Sequence, residues 1–318
     1  MVKLSIIIPH YNSVVSLKKL LYTIPFTEEI EIILVDDKSD IAKDELKSLV
    51  NDFQKRNLVF LENKTEVKGA GVCRNIGLKV ANGEWVLFAD ADDFFLDNFY
   101  QVVEEYIDSK LDVVFFSPTS VEMDTGKESN RHTDYAGLIQ KYIEKSDLYN
   151  ELSLRYRFFV PWSKLIRRSF LFDNKIYFDE VIASNDVMFS TKTGFYMDRF
   201  LVSENVIYCV TSSRGSLTTT VNEKIYNIRL EVFINYYKFL KSHLNRQEFD
   251  TLNVKGTEQI ITAIESGFNF KKVFKIFLKL KRNKIKIFDI QYLNLKLVIT
   301  KLKKRHHIYK KRKKYFSM

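Results

Sequence analysis

Short apolar runs, each halted by a polar cluster, recur up to about residue 120. Leu4 to Ile8 stops at Pro9-His10-Tyr11-Asn12. Glu31 to Val35 stops at Asp36-Asp37-Lys38-Ser39-Asp40, and Glu84 to Ala89 stops at Asp90-Ala91-Asp92-Asp93. Leu58 to Leu61 and Asp112 to Phe116 are two more runs of this kind. Runs this short and this rich in Ile, Leu and Val read as strands, and strands apolar on both faces belong to a sheet covered on both sides. Helical periodicity fills the gaps. Ser16 to Ile24 puts Leu17, Leu20 and Leu21 on one face, and Ala42 to Lys55 and Leu96 to Ser109 are further helices. A glycine-bearing segment, Lys68 to Gly77, feeds a helix that closes at Asn82-Gly83. Strands alternating with helices predict an α/β fold with a mostly parallel sheet and right-handed crossovers.

After Pro118 the pattern loosens. Glu122 to Asp134 is polar and reads as a loop, and Tyr135 to Arg157 as one or two helices. Val160 to Ile166 leads into a short helix near Ser169. Asn185-Asp186-Val187-Met188-Phe189 opens another helix, and Phe200 to Val210 is a strand. From about Glu223 the chain reads as all helical.

The strand ends carry the candidate chemistry. Open parallel sheets bind ligands at the carboxyl ends of their strands, so the clusters after the first, second and fourth runs should converge on one edge. Asp90, Asp92 and Asp93 crowd three carboxylates together. Repulsion and desolvation both penalise that arrangement, and a cation relieves both. Oxygen-only ligands favour a hard ion, Mg²⁺ or Mn²⁺. Acids at a helix start are the milder alternative, and they account for one of the three. No Gly-x-Gly-x-x-Gly follows the first strand and no Gly-Lys-Ser/Thr ends the glycine segment, which argues against a dinucleotide fingerprint and a P-loop. Cys73, Cys209 and the five histidines make no zinc spacing.

Composition fits a large core: 46% hydrophobic residues with only 4 Pro and 10 Gly, and 26 Phe and 17 Tyr to make it aromatic. The first apolar run is too short for a secretory signal, and none reaches the ~20 residues a spanning helix needs. A cytoplasmic protein is the expectation.

Four segments together carry a resemblance. They are Ser-Ile-Ile-Ile-Pro-His-Tyr-Asn (5–12), Val-Asp-Asp-Lys-Ser (35–39), Arg-Asn-Ile-Gly-Leu (74–78) and Ala-Asn-Gly-Glu-Trp-Val-Leu-Phe-Ala-Asp-Ala-Asp-Asp (81–93). In order and spacing they resemble family 2 inverting glycosyltransferases of the GT-A fold. The likeness continues more weakly through 161–171 and 185–189 and fades beyond Thr220. It implies a Rossmann-like GT-A domain over 1–220, with a nucleotide-sugar-binding half at 1–116 and an acceptor-binding half at 117–220. A helical, basic region would follow at 221–318.

The resemblance also implies a UDP-sugar donor and a role for each matching residue. Pro9, Tyr11 and Asp37 would surround the base, with Asn12 beside them. Tyr11 would stack, or else pack the core. Asp37 would accept the N3–H of uracil, which cytosine lacks. Asp90 would meet the ribose or the metal shell, Asp92 would be the main metal ligand, and Asp93 would lie close by. Lys68 and Arg74 suit the diphosphate or a carboxylate that shapes the site, although a surface salt bridge is the alternative for Arg74. An inverting enzyme needs one carboxylate to deprotonate the acceptor. The family's Glu-Asp pair is matched by Asn185-Asp186, making Asp186 the candidate base with Asp179 and Glu180 as alternatives. A helix-start acid is the plainer role for Asp186. Trp162 would line the acceptor site or pack the core. Arg214 would contact phosphate or lie on a surface loop. Asn185, where the family has Glu, keeps open a non-catalytic nucleotide-sugar-binding or scaffold subunit.

Charge is unevenly spread. Of the net +10, residues 271–318 contribute +17, 18 Lys and Arg against Asp289, so residues 1–270 carry −7. Val273, Ile276, Phe277 and Leu280 fall at helical spacing, as do Leu295, Val298, Ile299 and Leu302. A basic amphipathic pattern over 271–314 reads as an element for an anionic membrane surface. The same stripes would otherwise pack on the catalytic domain, or the charge would meet nucleic acid, for which no reading motif exists. Relatives that extend lipid-diphosphate-linked glycans suggest a peripheral protein at the inner face of the cell membrane, acting in surface polysaccharide assembly, with homo-oligomerisation open.

Overall fold

The computed structural model describes residues 1–212 and 222–287. The chain divides into two compact units, Met1–Ser213 and Arg214–Met318.

One sheet organises the first unit. Its strands are β1 (Leu4–His10), β2 (Ile30–Asp36), β3 (Leu58–Glu62), β4 (Trp85–Phe88), β5 (Phe94–Phe95), β6 (Val113–Glu122), β7 (Lys164–Arg167) and β8 (Phe200–Ser212). They lie in the order β3-β2-β1-β4-β7-β6-β8-β5. β3, β2, β1 and β4 are parallel. Past β4 the sheet is mixed: β7 is antiparallel to both neighbours, β6 and β8 are parallel, and β5 is antiparallel to β8. Four of the seven pairings are parallel, as the strand–helix alternation predicts, and the antiparallel ones all lie past β4. Val160 to Ile166 was expected only to lead into a helix, yet its end supplies β7 in the middle of the sheet. Four residues are too few for a period to show.

Helices cover both faces. They are α1 (Val14–Thr23), α2 (Lys43–Phe53), α3 (Ala70–Val80), α4 (Phe99–Ile107), α5 (Thr133–Glu144), α6 (Leu148–Arg157), α7 (Arg168–Asp173) and α8 (Asp186–Tyr196). Successive strand residues point to opposite faces. Ile6, Ile8, Ile32, Leu34 and Leu87 pack with Leu17 and Leu20 of α1, Leu46 and Leu49 of α2, and Phe99 and Val103 of α4. Their neighbours Ile7, Ile33, Val35, Val86 and Phe88 pack with Cys73 and Leu78 of α3, Leu154 of α6 and Phe189 of α8. A one-residue slip would exchange every one of these side chains between faces, so the register is strongly specified. β6 extends to Glu122, and residues 123–132 form the expected loop, closed by an isolated antiparallel bridge from Val121 to Glu128.

The second unit holds α9 (Glu223–His243), α10 (Arg246–Leu252), α11 (Thr257–Glu265) and α12 (Phe270–Arg282). Its own core gathers Tyr226, Leu230, Ile234, Tyr237, Ala263, Ile276 and Leu280. Among the described residues no helix is long and apolar enough to cross a membrane. Arg214 and the Leu295, Val298, Ile299 and Leu302 stripe lie outside the described residues.

Candidate active site

The ends of β1 and β2 are interlocked. His10 Nδ1 lies 2.7 Å from Asp36 Oδ1, and His10 Nε2 accepts the Ser13 N–H at 3.1 Å, so the ring proton sits on Nδ1 and is donated to Asp36. Ser39 Oγ donates to the same Asp36 oxygen at 2.6 Å and accepts the Asn12 N–H at 2.9 Å. Burial opposes ionisation of Asp36, but the His10 and Ser39 hydrogen bonds win and hold its carboxyl below the usual range. Pro9 is buried within β1, in register with Val35.

Asn12, at φ 51°, spends its amide on the β2–α2 loop. Its Nδ2 donates to Asp40 Oδ1 at 2.6 Å, and its Oδ1 accepts from the N–H groups of Asp40 and Ile41 at 3.0 and 3.1 Å. It therefore frames the edge. Asp37 accepts from Asn63 Nδ2 at 2.7 Å and from the Gly69 N–H at 2.8 Å, which ties the glycine segment to the end of β2. Gly69 has φ 139°, a conformation L side chains rarely adopt. Tyr11 is half-exposed, and Lys68 Nζ lies 4.8 Å from its ring centre.

The loop after β4 brings Asp90, Asp92 and Asp93 together, each with a carboxylate oxygen within 4.8 Å of the others. Their surroundings differ. Asp93 is buried and accepts from the Tyr208 hydroxyl at 3.0 Å and the Thr211 N–H at 2.7 Å. The same Tyr208 hydroxyl accepts the Asp90 N–H at 2.8 Å, and Thr211 Oγ1 donates to the Asp92 carbonyl at 2.6 Å. β8 thus fixes the acidic loop from below. Burial raises the pKa of Asp92, and the charge of Asp90 adds to it. Asp93 is raised well above the ordinary value by burial and by both neighbours. Arg131, from the turn before α5, donates to the Thr211 carbonyl, and its charge partly offsets this crowding. Three crowded carboxylates, all oxygen donors, fit a hard divalent ion. Asp90 and Asp92 are partly exposed and able to reach one, whereas Asp93 is taken up by β8.

Arg74 joins the acidic loop to the start of α8. Its Nη2 donates to Asp90 and its Nη1 to Asn185 Oδ1 at 2.9 Å, while the guanidinium lies 5.2 Å from the Phe178 ring centre. The next residue, Asn75, donates to the Phe178 carbonyl at 3.0 Å and accepts its N–H at 2.9 Å. The approach is close enough to require a glycine. A Cβ on Gly71 would stand 2.4 Å from the Asp179 carbonyl oxygen.

Asp186 is the first residue of α8 and is partly buried. Burial raises its pKa, which Arg74 and Lys164 counter and Asp90 reinforces. Lys164 is buried in β7 and donates to the Phe158 carbonyl at 2.6 Å and to Ser190 Oγ at 3.0 Å. Burial pulls its ammonium down to about 7. Burial also pushes up the Tyr135 phenol, with the charge of Asp186 next in weight. Glu180 is exposed, and Asp179 is raised by burial with only Lys192 opposing.

The structure therefore gathers Tyr11, Asp37, Lys68, Arg74, Asp90, Asp92 and Asp93 along the edge formed by β1, β2 and β4, and Arg74 links that edge to the α8 start that bears Asp186. Of its two expected roles, Trp162 packs the core rather than lining an acceptor site. It is 3% exposed, stacks on Tyr208 at 5.8 Å and meets the edge of Tyr135 at 5.3 Å, which leaves no face for a sugar ring. Its work is to support Tyr208 beneath the acids. Sequence reasoning missed Tyr208, Thr211, Arg131, Tyr135 and Lys164. A lone lysine in the apolar Leu165-Ile166 neighbourhood was a signal for the last, but Arg131 is one polar residue among many in the 122–134 run, and nothing in the sequence sets Tyr135, Tyr208 or Thr211 apart.

A family model, Glycosyl transferase family 2, matches residues 5–172. The chain is 30% identical over 224 residues to the poly(ribitol-phosphate) beta-N-acetylglucosaminyltransferase TarS of Staphylococcus aureus, over 68% of this chain and 36% of that protein. It thus spans about a third of that relative's length. It is 30% identical over 185 residues to the GalNAc(5)-diNAcBac-PP-undecaprenol beta-1,3-glucosyltransferase of Campylobacter jejuni, over 57% of this chain and 56% of that one. The crystal structure of S. aureus TarS 1–349 in complex with UDP-GlcNAc superposes with a TM-score of 0.61 at 26% identity, over 79% of this chain and 70% of that one. The first unit has the GT-A fold.

Proposed function

Because the chain belongs to glycosyl transferase family 2, matched over more than half its length, we propose that it is a metal-dependent, inverting glycosyltransferase that moves a sugar from a UDP-sugar to a glycan acceptor. The observation that carries this reading is Arg74, which ties the three-acid loop after β4 to the start of α8, where a separate carboxylate, Asp186, is partly buried. Tyr11 offers its exposed ring to the base, on a floor shaped by Pro9 and framed by Asn12. Asp37, tied to Asn63 and Gly69, would turn a remaining lone pair to the uracil N3–H. Asp92 and Asp90 would hold Mn²⁺ or Mg²⁺, with Asp93 fixing the loop beneath them. When bound, that ion supplies positive charge to a diphosphate leaving group. Lys68 and Arg74 add fixed positive charge at the same edge, and Arg214 is assigned to phosphate.

Asp186 takes the proton from the acceptor hydroxyl. Its upward shift brings it toward the range in which a carboxylate is an effective base. A single displacement, with the acceptor attacking opposite the diphosphate, inverts the anomeric carbon. TarS bears a poly(ribitol-phosphate) name and the Campylobacter enzyme an undecaprenol-diphosphate one. By analogy the acceptor is a surface polymer or its lipid-diphosphate-linked precursor.

α12 supports a membrane location. Ile276 and Leu280 face the core of the second unit, while Phe270, Phe274 and Leu278, spaced one turn apart, are exposed. The helix contains no acid, and Lys272 and Lys279 pair with Glu223 and Glu231 of α9, leaving Lys271, Lys275, Lys281 and Arg282 for an anionic surface. Exposed aromatic rings among cations suit the headgroup boundary of an anionic leaflet. The protein then acts peripherally at the inner face of the cell membrane.

UDP release from UDP-GlcNAc and UDP-glucose, with and without Mn²⁺, tests the reaction. Asp92→Ala should lower it by about a hundredfold or more. Asp186→Asn should lower it by ~10²–10⁴ while UDP still binds. Release indifferent to both substitutions sinks the assignment, and binding without release returns the chain to a scaffold role. For the membrane, F270S/F274S should lose binding to phosphatidylglycerol vesicles. Equal binding of the parent to phosphatidylcholine would remove the electrostatic argument.

A further inference from the structure

Lys164 is a buried cation that the reaction above leaves without a task. It is 1% exposed, between the rings of Phe158 at 5.0 Å and Phe115 at 5.7 Å. Its partners are neutral, the Phe158 carbonyl and Ser190 Oγ. Among the described residues no carboxylate forms an ion pair with it. A well-packed apolar residue usually fills such a place without the desolvation penalty of an ammonium. A charge kept there with only neutral contacts points to a target acting through space.

That target is identified by helix geometry. Ser190 lies four residues after Asp186 on α8, so the two share one helix face. An ammonium bonded to Ser190 therefore sits under the face that carries Asp186. We propose that Lys164 is a positioning residue for Asp186, holding the base ionised and α8 in place against β7, a role that rests on the assignment of Asp186 above.

The groups acting on Asp186 come from four elements. Arg74 reaches it from α3, Asp90 from the loop after β4, Lys164 from β7 and Tyr135 from α5. Arg74 is already bonded to Asp90, whose own charge disfavours ionisation of Asp186. Lys164 is the cation of this set that no other acid shares. The two hydrogen bonds also have a mechanical effect. Ser190 donates on to the Phe159 carbonyl, so Lys164 and Ser190 together pin α8 to the segment that follows α6.

The pH dependence of UDP release from UDP-GlcNAc with Mn²⁺ separates this role from simple packing. Lys164→Met should move the acid limb upward by about one pH unit, read as a ~tenfold loss on the acid side. Ser190→Ala removes a hydrogen bond without removing the charge and should leave the limb in place. If Asp186→Asn abolishes the limb but Lys164→Met leaves it unmoved, Lys164 is structural and the proposal falls. If Asp186→Asn keeps the limb, the base assignment fails instead. Melting temperatures give a readout independent of turnover. Lys164→Met should be more damaging with Asp186 present than in the Asp186→Asn background, including the case in which the single variant does not fold and the double variant does. Equal damage in both backgrounds overturns the proposal.

Discussion

In the parallel half of the sheet, β1 to β4, each candidate side chain leaves from the carboxyl end of a strand or from the glycine segment and α3. In the mixed half, β6 to β8, the relevant groups come from a short middle strand, a helix start, a turn and the far end of a long strand. The first half is organised by topology, because parallel strands deliver their polar ends to one edge. The second is organised by packing: Tyr208 and Thr211 hold the acids, Lys164 and Ser190 hold α8, and Trp162 wedges beneath Tyr208. Arg74 is the bond between halves, with one guanidinium nitrogen on Asp90 and another on Asn185. An edge of polar strand ends is a property of strand order, whereas the surroundings of α8 are a property of side chains meeting across elements.

Cutting that bond has the largest expected effect. Arg74→Ala leaves Asp90 without its cation and the α8 start without its tie. The expected loss is about 3 kcal/mol, at the low end for a broken buried pair because Asp90 retains some solvent contact. Chemical denaturation measures it, and a loss below the error of the measurement would mean the halves are held together elsewhere. Trp162→Phe is next. As a support for Tyr208 it should cost about 1.5 kcal/mol and leave turnover within a small factor. A rise in acceptor KM with unchanged melting would instead return Trp162 to the acceptor site.

The smallest effect concerns Asp186. Folding raises the Asp186 pKa, so the folded protein binds that proton more tightly than the unfolded chain. Its contribution is favourable at acid pH and is lost as pH rises through the raised value. Asp186→Asn should therefore melt higher at pH 7.5, by about 2–4 °C if ~1 kcal/mol is recovered, with the gain vanishing near pH 3. Calorimetry at the two pH values checks both the sign and the window.

These contrasts explain what could be read from the chain. Asp90, Asp92 and Asp93 stand next to one another in the sequence, so their crowding needs no tertiary information. Tyr11 and Asp37 follow apolar runs whose ends a parallel sheet must align. The unequal duties of the three acids were hidden, since only β8 shows that Asp93 is bonded to Tyr208 and Thr211. Asn185 looked like a departure from an acidic pair, but it is the acceptor of an Arg74 hydrogen bond 111 residues away. Asp37 was assigned to the base, and its additional grip on Gly69 became visible only once α3 was placed. In the second unit, the spacing of Ile276 and Leu280 announced a buried stripe, and burial then set Phe270 and Phe274 apart as the exposed edge.

The sequence by itself determined the covered sheet, the edge where its strands deliver polar groups and the carboxylate cluster that favours a cation. Each of these follows from periodicity or from neighbours along the chain, which local physics controls. Tertiary structure alone decided which acids stay accessible, that β7 runs antiparallel through the middle of the sheet, that Trp162 is core, and that a buried lysine lies under the candidate base. Those outcomes depend on contacts between residues far apart in sequence, where burial and hydrogen bonding, and not propensity, set the energy.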